Sequence, residues 1–538
     1  MSRSSCIILS CCALFALAAC ALTNPEPTHL PSSPTPSATR VVNLSIPNPL
    51  VKISNGALQG VIENNIAVFK GIPYAAAPVG ALRWRAPQPV ADWNAVRRAD
   101  AFGAACFQPP AKALEGAGAV GAMSEDCLYA NVWTPNTALD AKLPVMVWIH
   151  GGALLQGAGS LALYDGGKLA ERGAVIVTFN YRLGPLGFFS HPALDKETPD
   201  GPVNFGLLDE IAALQWTQKN IAAFGGDPRN VTIFGESAGA QSVLALFASP
   251  LARGLFQRGI AQSAYGIPSH PRAQAQQVGI AVASAVGLDG AAATASALRA
   301  TPAEKFAVTN QRDQMLAPSF VIGDAALPQP ILETFQQGGE APVPLIIGNN
   351  SDEATVVELF GIDPASLIDR LGAAKIALKP LYPDVTDNAD LGRQVIRDLI
   401  FTAFAKRIAD AHAARAPSYR YYFSYLAQKL RGAQPGVSHG GEIVFVFDTF
   451  DRAPLYQKIV TDADRAMAQR VGAYWFEFAR TGVPAPPNEP VWAPSTKAQD
   501  AVMEFGDTIA LQTNFMKTRL NVFVGLLDAL GKLLARDK

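Results

Sequence analysis

VTIFGESAG, residues 231–239, runs from a β-branched and aromatic tetrad into a serine set between two glycines. Val231–Phe234 reads as a buried strand, and the following run Ala240–Ala248 (AQSVLALFA) reads as a helix. A serine at the tip of such a strand-to-helix turn sits in a strained backbone conformation. That conformation holds only if the residues two before and two after it are small. Gly235 and Gly239 meet this demand. The turn exposes the serine Oγ, and the helix directs its N-terminal N–H groups at any oxyanion that forms beside it. Ser237 is therefore the candidate nucleophile.

Working outward, Val145–His150 (VMVWIH) and Ala174–Asn180 (AVIVTFN) are continuous apolar runs of the kind expected for strands covered on both faces. Leu207–Ala223 carries apolar residues at helical spacing. Pro344–Gly348 (PLIIG) and Tyr419–Tyr425 (YRYYFSY) are again strand-like. The alternation predicts an α/β fold, a mostly parallel central sheet with helices on both faces. Gln274–Gln311, rich in alanine, reads as a helical cap or insertion. Near the end of the chain, Leu520, Phe523, Leu527, Leu530 and Leu534 form one helical stripe, expected to pack on the protein's own core.

Hydrophobic residues make up 49% and charged residues 17% of the 538, which excludes a disordered chain. The formal charge is −1 with no long basic run, so neither nucleic acid nor an anionic membrane surface is expected as a partner. Arg3 precedes the apolar run Cys6–Ala19, which is short for a membrane span. Its end, Leu17-Ala18-Ala19-Cys20, resembles a bacterial lipobox, in which cleavage falls before the cysteine and Cys20 receives lipid. Residues 1–19 are then a signal peptide, and 20–40 a spacer rich in Pro, Ser and Thr. Residues 41–538 form one domain. The chain is expected outside the cytoplasm, tied to a bacterial membrane only through that anchor, and monomeric. Export leaves Cys106 and Cys127, which in an oxidising compartment pair most simply as a disulfide. Closing such a loop stabilises by about 3 kcal/mol.

Phe224–Gly239 (FGGDPRNVTIFGESAG) resembles the serine signature of the type-B carboxylesterases, the group that includes the cholinesterases. Glu125–Pro135 (EDCLYANVWTP) resembles the second signature of that family, and Lys70–Ala75, Leu82–Pro87 and Asn180–Phe188 add further matches. The resemblance implies the α/β-hydrolase fold with inserted cap and loop regions, and a Ser–Glu–His triad in that chain order. It also suggests that Arg83 pairs with Glu125 and that Ser263 supports the catalytic acid.

The general base must come from a loop after the last core strands. Of six histidines only His439 does so, within GVSHGGEIVFVF, which resembles the family's histidine loop. The acid should follow the strand Pro344–Gly348. Asp352 and Glu353 could each orient an imidazole; the family pattern selects the second, Glu353. Ala354 stands where the family usually has glycine. The loop His150-Gly151-Gly152-Ala153 follows another strand, and small residues there allow backbone to approach a substrate oxygen. By resemblance the donors are Gly152, Ala153 and Ala238, with Gly151 shaping the turn; many relatives have glycine where Ala153 stands.

These residues imply hydrolysis of a small uncharged carboxylic ester through an acyl-serine, without metal or organic cofactor. Two other readings share much of the pattern. One is a non-catalytic, cholinesterase-like adhesion protein; the other is a specialised amide, carbamate or polyester hydrolase.

Overall fold

Val145, Val147 and Ile149 pack into the hydrophobic core on one side of their strand, and Met146 and Trp148 into a second core on the other. All five are fully buried. This two-sided burial is what the unbroken apolar run requires. The structure, a computed structural model, describes residues 48–110, 116–267, 269–308 and 318–536. The expected signal peptide (residues 1–19), Cys20 and the expected spacer (20–40) lie outside the described residues.

The central sheet has eleven strands. In chain order they are β1 (Val61–Glu63), β2 (Ile66–Pro73), β3 (Tyr129–Thr134), β4 (Leu143–Ile149), β5 (Val175–Phe179) and β6 (Gly226–Glu236). The remainder are β7 (Arg258–Gln262), β8 (Leu345–Asn350), β9 (Ser418–Phe423), β10 (Ala501–Phe505) and β11 (Ile509–Thr513). Across the sheet the order is β11-β10-β9-β8-β7-β6-β4-β5-β3-β2-β1. From β10 through β5 every neighbouring pair is parallel, and the outer pairs are antiparallel. β6 begins earlier than its apolar tetrad, and its pairing with β4 is irregular between Gly226 and Val231.

Helix α1 (Phe205–Asn220) and helix α2 (Ala238–Ala248) cover one face through Leu207, Ile211, Val243 and Phe247. The long helix Asp462–Thr481 covers the other through Val471, Tyr474, Trp475 and Phe478. This is the α/β-hydrolase architecture. The alanine-rich insert is not one helix: Arg272–Ala285 ends before Gly287, whose φ is +91°, and two short helices follow at Ala295–Ala300 and Ala303–Ala307. In the C-terminal helix Lys517–Arg536, Leu520 and Phe523 are buried and Leu527 packs beside them, so the start of the stripe does rest on the protein. The side chains of Leu530 and Leu534 lie outside the described set.

Cys106 and Cys127 are joined in a disulfide, with Cα atoms 5.0 Å apart. Arg83 donates from Nε and Nη2 to the two oxygens of Glu125 at 2.6 and 2.5 Å. Its Nη1 reaches the carbonyls of Leu298 and Thr301, which ties the disulfide loop to the insert.

Candidate active site

Ser237 has φ +56° and ψ −120°, between the last residue of β6 and the first of α2. The glycines around it are required by contact as well as by strain. A Cβ on Gly239 would lie 2.0 Å from the Ile149 carbonyl oxygen, and one on Gly235 would lie 2.6 Å from that same oxygen. No side chain fits there, so the turn is pressed against the end of β4. The Ser237 N–H donates to Gln262 O at 2.8 Å, which pins the turn to β7 as well.

Four loops meet at the carboxyl edge of the sheet, where open α/β sheets place their ligands. After β4 comes His150–Ala153; a Cβ on Gly151 would stand 3.2 Å from Ser237 Cβ. Gly152 has φ +105° and Ala153 φ +56°. An alanine in that left-handed region is strained by roughly 1–2 kcal/mol, which glycine would avoid. Among the described residues, the N–H groups of Gly152 and Ala153 have no acceptor. Ala238 opens α2, where helical geometry leaves N–H groups without an intrahelical partner.

After β8 comes Glu353, fully buried. Its Oε1 accepts from Ser263 Oγ at 2.6 Å and from the Asn350 N–H at 2.6 Å. Its Oε2 accepts from His439 Nδ1 at 2.5 Å. Asp352, the competing carboxylate, points elsewhere and is paired with Arg393 at 3.0 Å. Ala354 is in the right-handed helical region, so this loop needs no glycine there.

His439 follows β9. Its Nε2 makes no hydrogen bond and lies 3.1 Å from Glu236 Oε1, the residue immediately before the serine. The structure thus joins Glu353 to His439 and brings the imidazole beside the serine turn, without forming a Ser237–His439 hydrogen bond. Two other histidines are held by partners of their own. His150 stacks on Tyr181 with its ring nitrogen on Gly151 O, and burial pushes its pKa down to about 4. His412 is buried against Glu340.

Three carboxyl groups, those of Glu236, Glu353 and Glu442, act on His439. Burial alone would lower its pKa, but the carboxylates of Glu236 and then Glu353 outweigh this and hold it up at about 9. Burial raises Glu236 to about 8, against the pull of His439. Glu442, raised by burial, stands behind them. It accepts from Gln262 Nε2 at 2.9 Å and from Asn350 Nδ2, and Trp475 Nε1 in turn donates to Gln262 at 3.0 Å. Glu236, Glu442 and Gln262 were not singled out by sequence reasoning. The available signals were slight: Glu236 is the variable position of the serine motif, and Glu442 lies three residues after His439.

No group of three or more metal-ligating side chains occurs among the described residues. A cavity of about 250 Å³ between Trp84, Phe189, His191, Glu197 and Arg299 shares no wall with the Ser237 loops.

Comparison with known proteins bears on this arrangement. The family model described as "Carboxylesterase family" matches residues 47–374 and 382–523. The fumonisin B1 esterase of Sphingopyxis macrogoltabida is 35% identical over 489 residues, 85% of this chain and 86% of that protein. The para-nitrobenzyl esterase of Bacillus subtilis is 37% identical over 450 residues, 81% and 90% of the two chains. Among solved structures, a carboxylesterase of Geobacillus stearothermophilus superposes with TM-score 0.77 at 31% identity, covering 88% of this chain and 99% of that one. A PNB esterase superposes with TM-score 0.72 at 32% identity, covering 86% and 97%.

Proposed function

Since this chain belongs to the carboxylesterase family and is a carboxylic ester hydrolase, we propose that it works by two-step acyl transfer, with Ser237 as nucleophile, His439 as base and Glu353 as orienting acid. The observation that carries this reading is the hydrogen bond from His439 to Glu353, made beside a serine held at positive φ. Glu353 fixes which imidazole nitrogen carries the proton, and Nε2, which stands 3.1 Å from Glu236 Oε1, is the nitrogen that takes one from Ser237 Oγ. The Ser237–His439 hydrogen bond forms when substrate enters, as catalytic contacts in empty sites often tighten only then.

Ser237 Oγ attacks the ester carbonyl, and the oxyanion is met by the N–H groups of Gly152, Ala153 and Ala238, with Gly151 holding the loop close. His439 passes the serine's proton to the departing alcohol. It then draws a proton from water, which attacks the acyl-serine, and returns that proton to Ser237 Oγ as the carboxylic acid leaves. Every proton step is handled by His439. The substrates are small uncharged esters. A non-catalytic adhesion role is not favoured, since it gives no account of the acid–base pair.

The same proposal has the chain exported and held to a membrane by lipid on Cys20. Its support is the lipobox pattern Leu17–Cys20. Radiolabelled palmitate should enter the native chain and not Cys20→Ala; equal labelling would reject the anchor. For the chemistry, Ser237→Ala should lower kcat on p-nitrophenyl esters by a factor on the order of 10⁴ or more with KM little changed. Retained turnover would refute the assignment. A graded series of acyl lengths would then define the ester preferred.

A further inference from the structure

Beyond β7 the chain runs through Ser263, Ala264 and Tyr265 before it turns out to solvent at Gly266 and Ile267. This short run is fastened on several sides. Ser263, at φ +56°, donates from Oγ to Glu353 Oε1 at 2.6 Å and from its N–H to Gly348 O at 2.8 Å. The Tyr265 carbonyl accepts from Gln241 Nε2, one helical turn past Ser237. The Gly266 N–H donates to Ile400 O at 2.9 Å. The backbone of Tyr265 is therefore placed by the elements that also carry the acid and the nucleophile.

The Tyr265 ring stands edge-on to Phe401, with centroids 6.4 Å apart, and the Phe401 ring lies 5.4 Å from the imidazole of His439. Phe401 is buried on a π turn, Arg397–Thr402, set between the helices Asn388–Ile396 and Ala403–His412. Such turns inside a helix are frequent at functional sites. Tyr265 is half-buried, and its hydroxyl makes no hydrogen bond among the described residues. The phenol is within electrostatic reach of Glu236 on the serine turn and of Tyr181, whose hydroxyl donates to His150 O at 2.8 Å beside the oxyanion loop. Burial, and then the Glu236 carboxylate, raise the pKa of the phenol, so it keeps a proton to donate. The wall made by Phe401 and Tyr265 is thus apolar apart from this hydroxyl.

We propose that Tyr265 selects the acyl group: its hydroxyl donates a hydrogen bond to an uncharged acceptor on the acyl chain, an ether, ketone or second ester oxygen. The proposal rests on Ser237 being the nucleophile. Its direction follows from the four substituents of the tetrahedral carbon. One is Ser237 Oγ, the oxyanion faces the N–H groups of the loop 151–153, and the departing oxygen faces His439 Nε2. The wall after β7 belongs to neither loop and meets the fourth substituent, the acyl chain. A donor left unpaired among apolar side chains is poorly matched to a plain alkyl chain. It is well matched to one that carries an oxygen.

The test compares ester pairs of equal shape by pH-stat titration: ethyl methoxyacetate with ethyl butanoate, and ethyl methoxypropanoate with ethyl pentanoate. In each pair kcat/KM for the ether is divided by that for the alkyl ester. Comparing this quotient between the native chain and Tyr265→Phe cancels the intrinsic reactivity of each ester. Tyr265→Phe should lower the quotient about three- to tenfold in at least one pair. Methoxyethyl acetate against butyl acetate, with the ether moved to the alcohol, should show no such fall. An unmoved quotient in both acyl pairs would overturn the proposal, as would a fall confined to the alcohol pair. Equal loss on every ester would overturn it too, since Tyr265 would then support the fold or the triad. Fluorophosphonate labelling separates this test from that of the mechanism. A native chain left unlabelled at Ser237 would sink the nucleophile, whereas a labelled chain with an unmoved quotient sinks only the choice of acyl group.

Discussion

Replacing Glu236 by glutamine should move the acidic limb of the pH–activity profile toward lower pH. The Glu236 carboxylate lies 3.1 Å from His439 Nε2, and both side chains are almost wholly buried. After burial, which acts to lower it, Glu236 is the foremost influence on an imidazole held up at about 9. The sign follows directly. A raised pKa keeps the proton on His439 to higher pH, and only the neutral ring can serve as base. Removing the negative charge therefore releases the base form at lower pH. At 3.1 Å the Coulomb energy is about 5 kcal/mol for an effective dielectric constant of about 20, and about 1.3 kcal/mol at the value for water. Divided by 1.36 kcal/mol per pH unit, these bracket a fall of about one to four units. Glutamine keeps the shape of the side chain, so the effect of charge is isolated from that of packing. The assay is kcat/KM from pH-stat titration of the acid released from methyl butyrate, which avoids any chromophore that titrates. A midpoint that stays in place, or moves upward, would refute the electrostatic argument.

Two further changes probe the supports of the site. Ser263→Ala removes one of the two hydrogen bonds to Glu353 Oε1; at about 1.4 kcal/mol, kcat should fall about tenfold with KM unchanged, and a change in KM alone would contradict the role. Glu125→Ala leaves the buried Arg83 guanidinium with only carbonyl partners. It should cost about 3 kcal/mol of stability, read as a lower urea midpoint, and an unmoved midpoint would show the pair to be unimportant.

Much of the fold was legible because its strands are two-sided. Val145–Ile149 and Val175–Phe179 are buried on both faces, so an unbroken apolar run was enough to find them. The serine turn was legible because its constraint is local, two glycines within two residues of Ser237. Where β6 begins was not, because Gly226 joins the sheet through pairing with Leu143 and not through its own side chain. Nor did physics alone choose between Asp352 and Glu353: either carboxylate could orient an imidazole, and the family pattern had to separate them. Gln262, Glu442 and Trp475 meet across 180 and 213 residues of chain, and no local pattern signals such a meeting. The alanine-rich insert was read as helical because alanine favours helix everywhere, while its breaks depend on single glycines such as Gly287.

The account depends on an acyl group being carried by one hydroxyl, and a suicide label tests that most directly. The chain treated with a fluorophosphonate should gain one adduct by intact mass, lose activity in proportion, and yield the modified peptide at Ser237 only. An enzyme that stays active and unlabelled, or carries its adduct on any other residue, would contradict it.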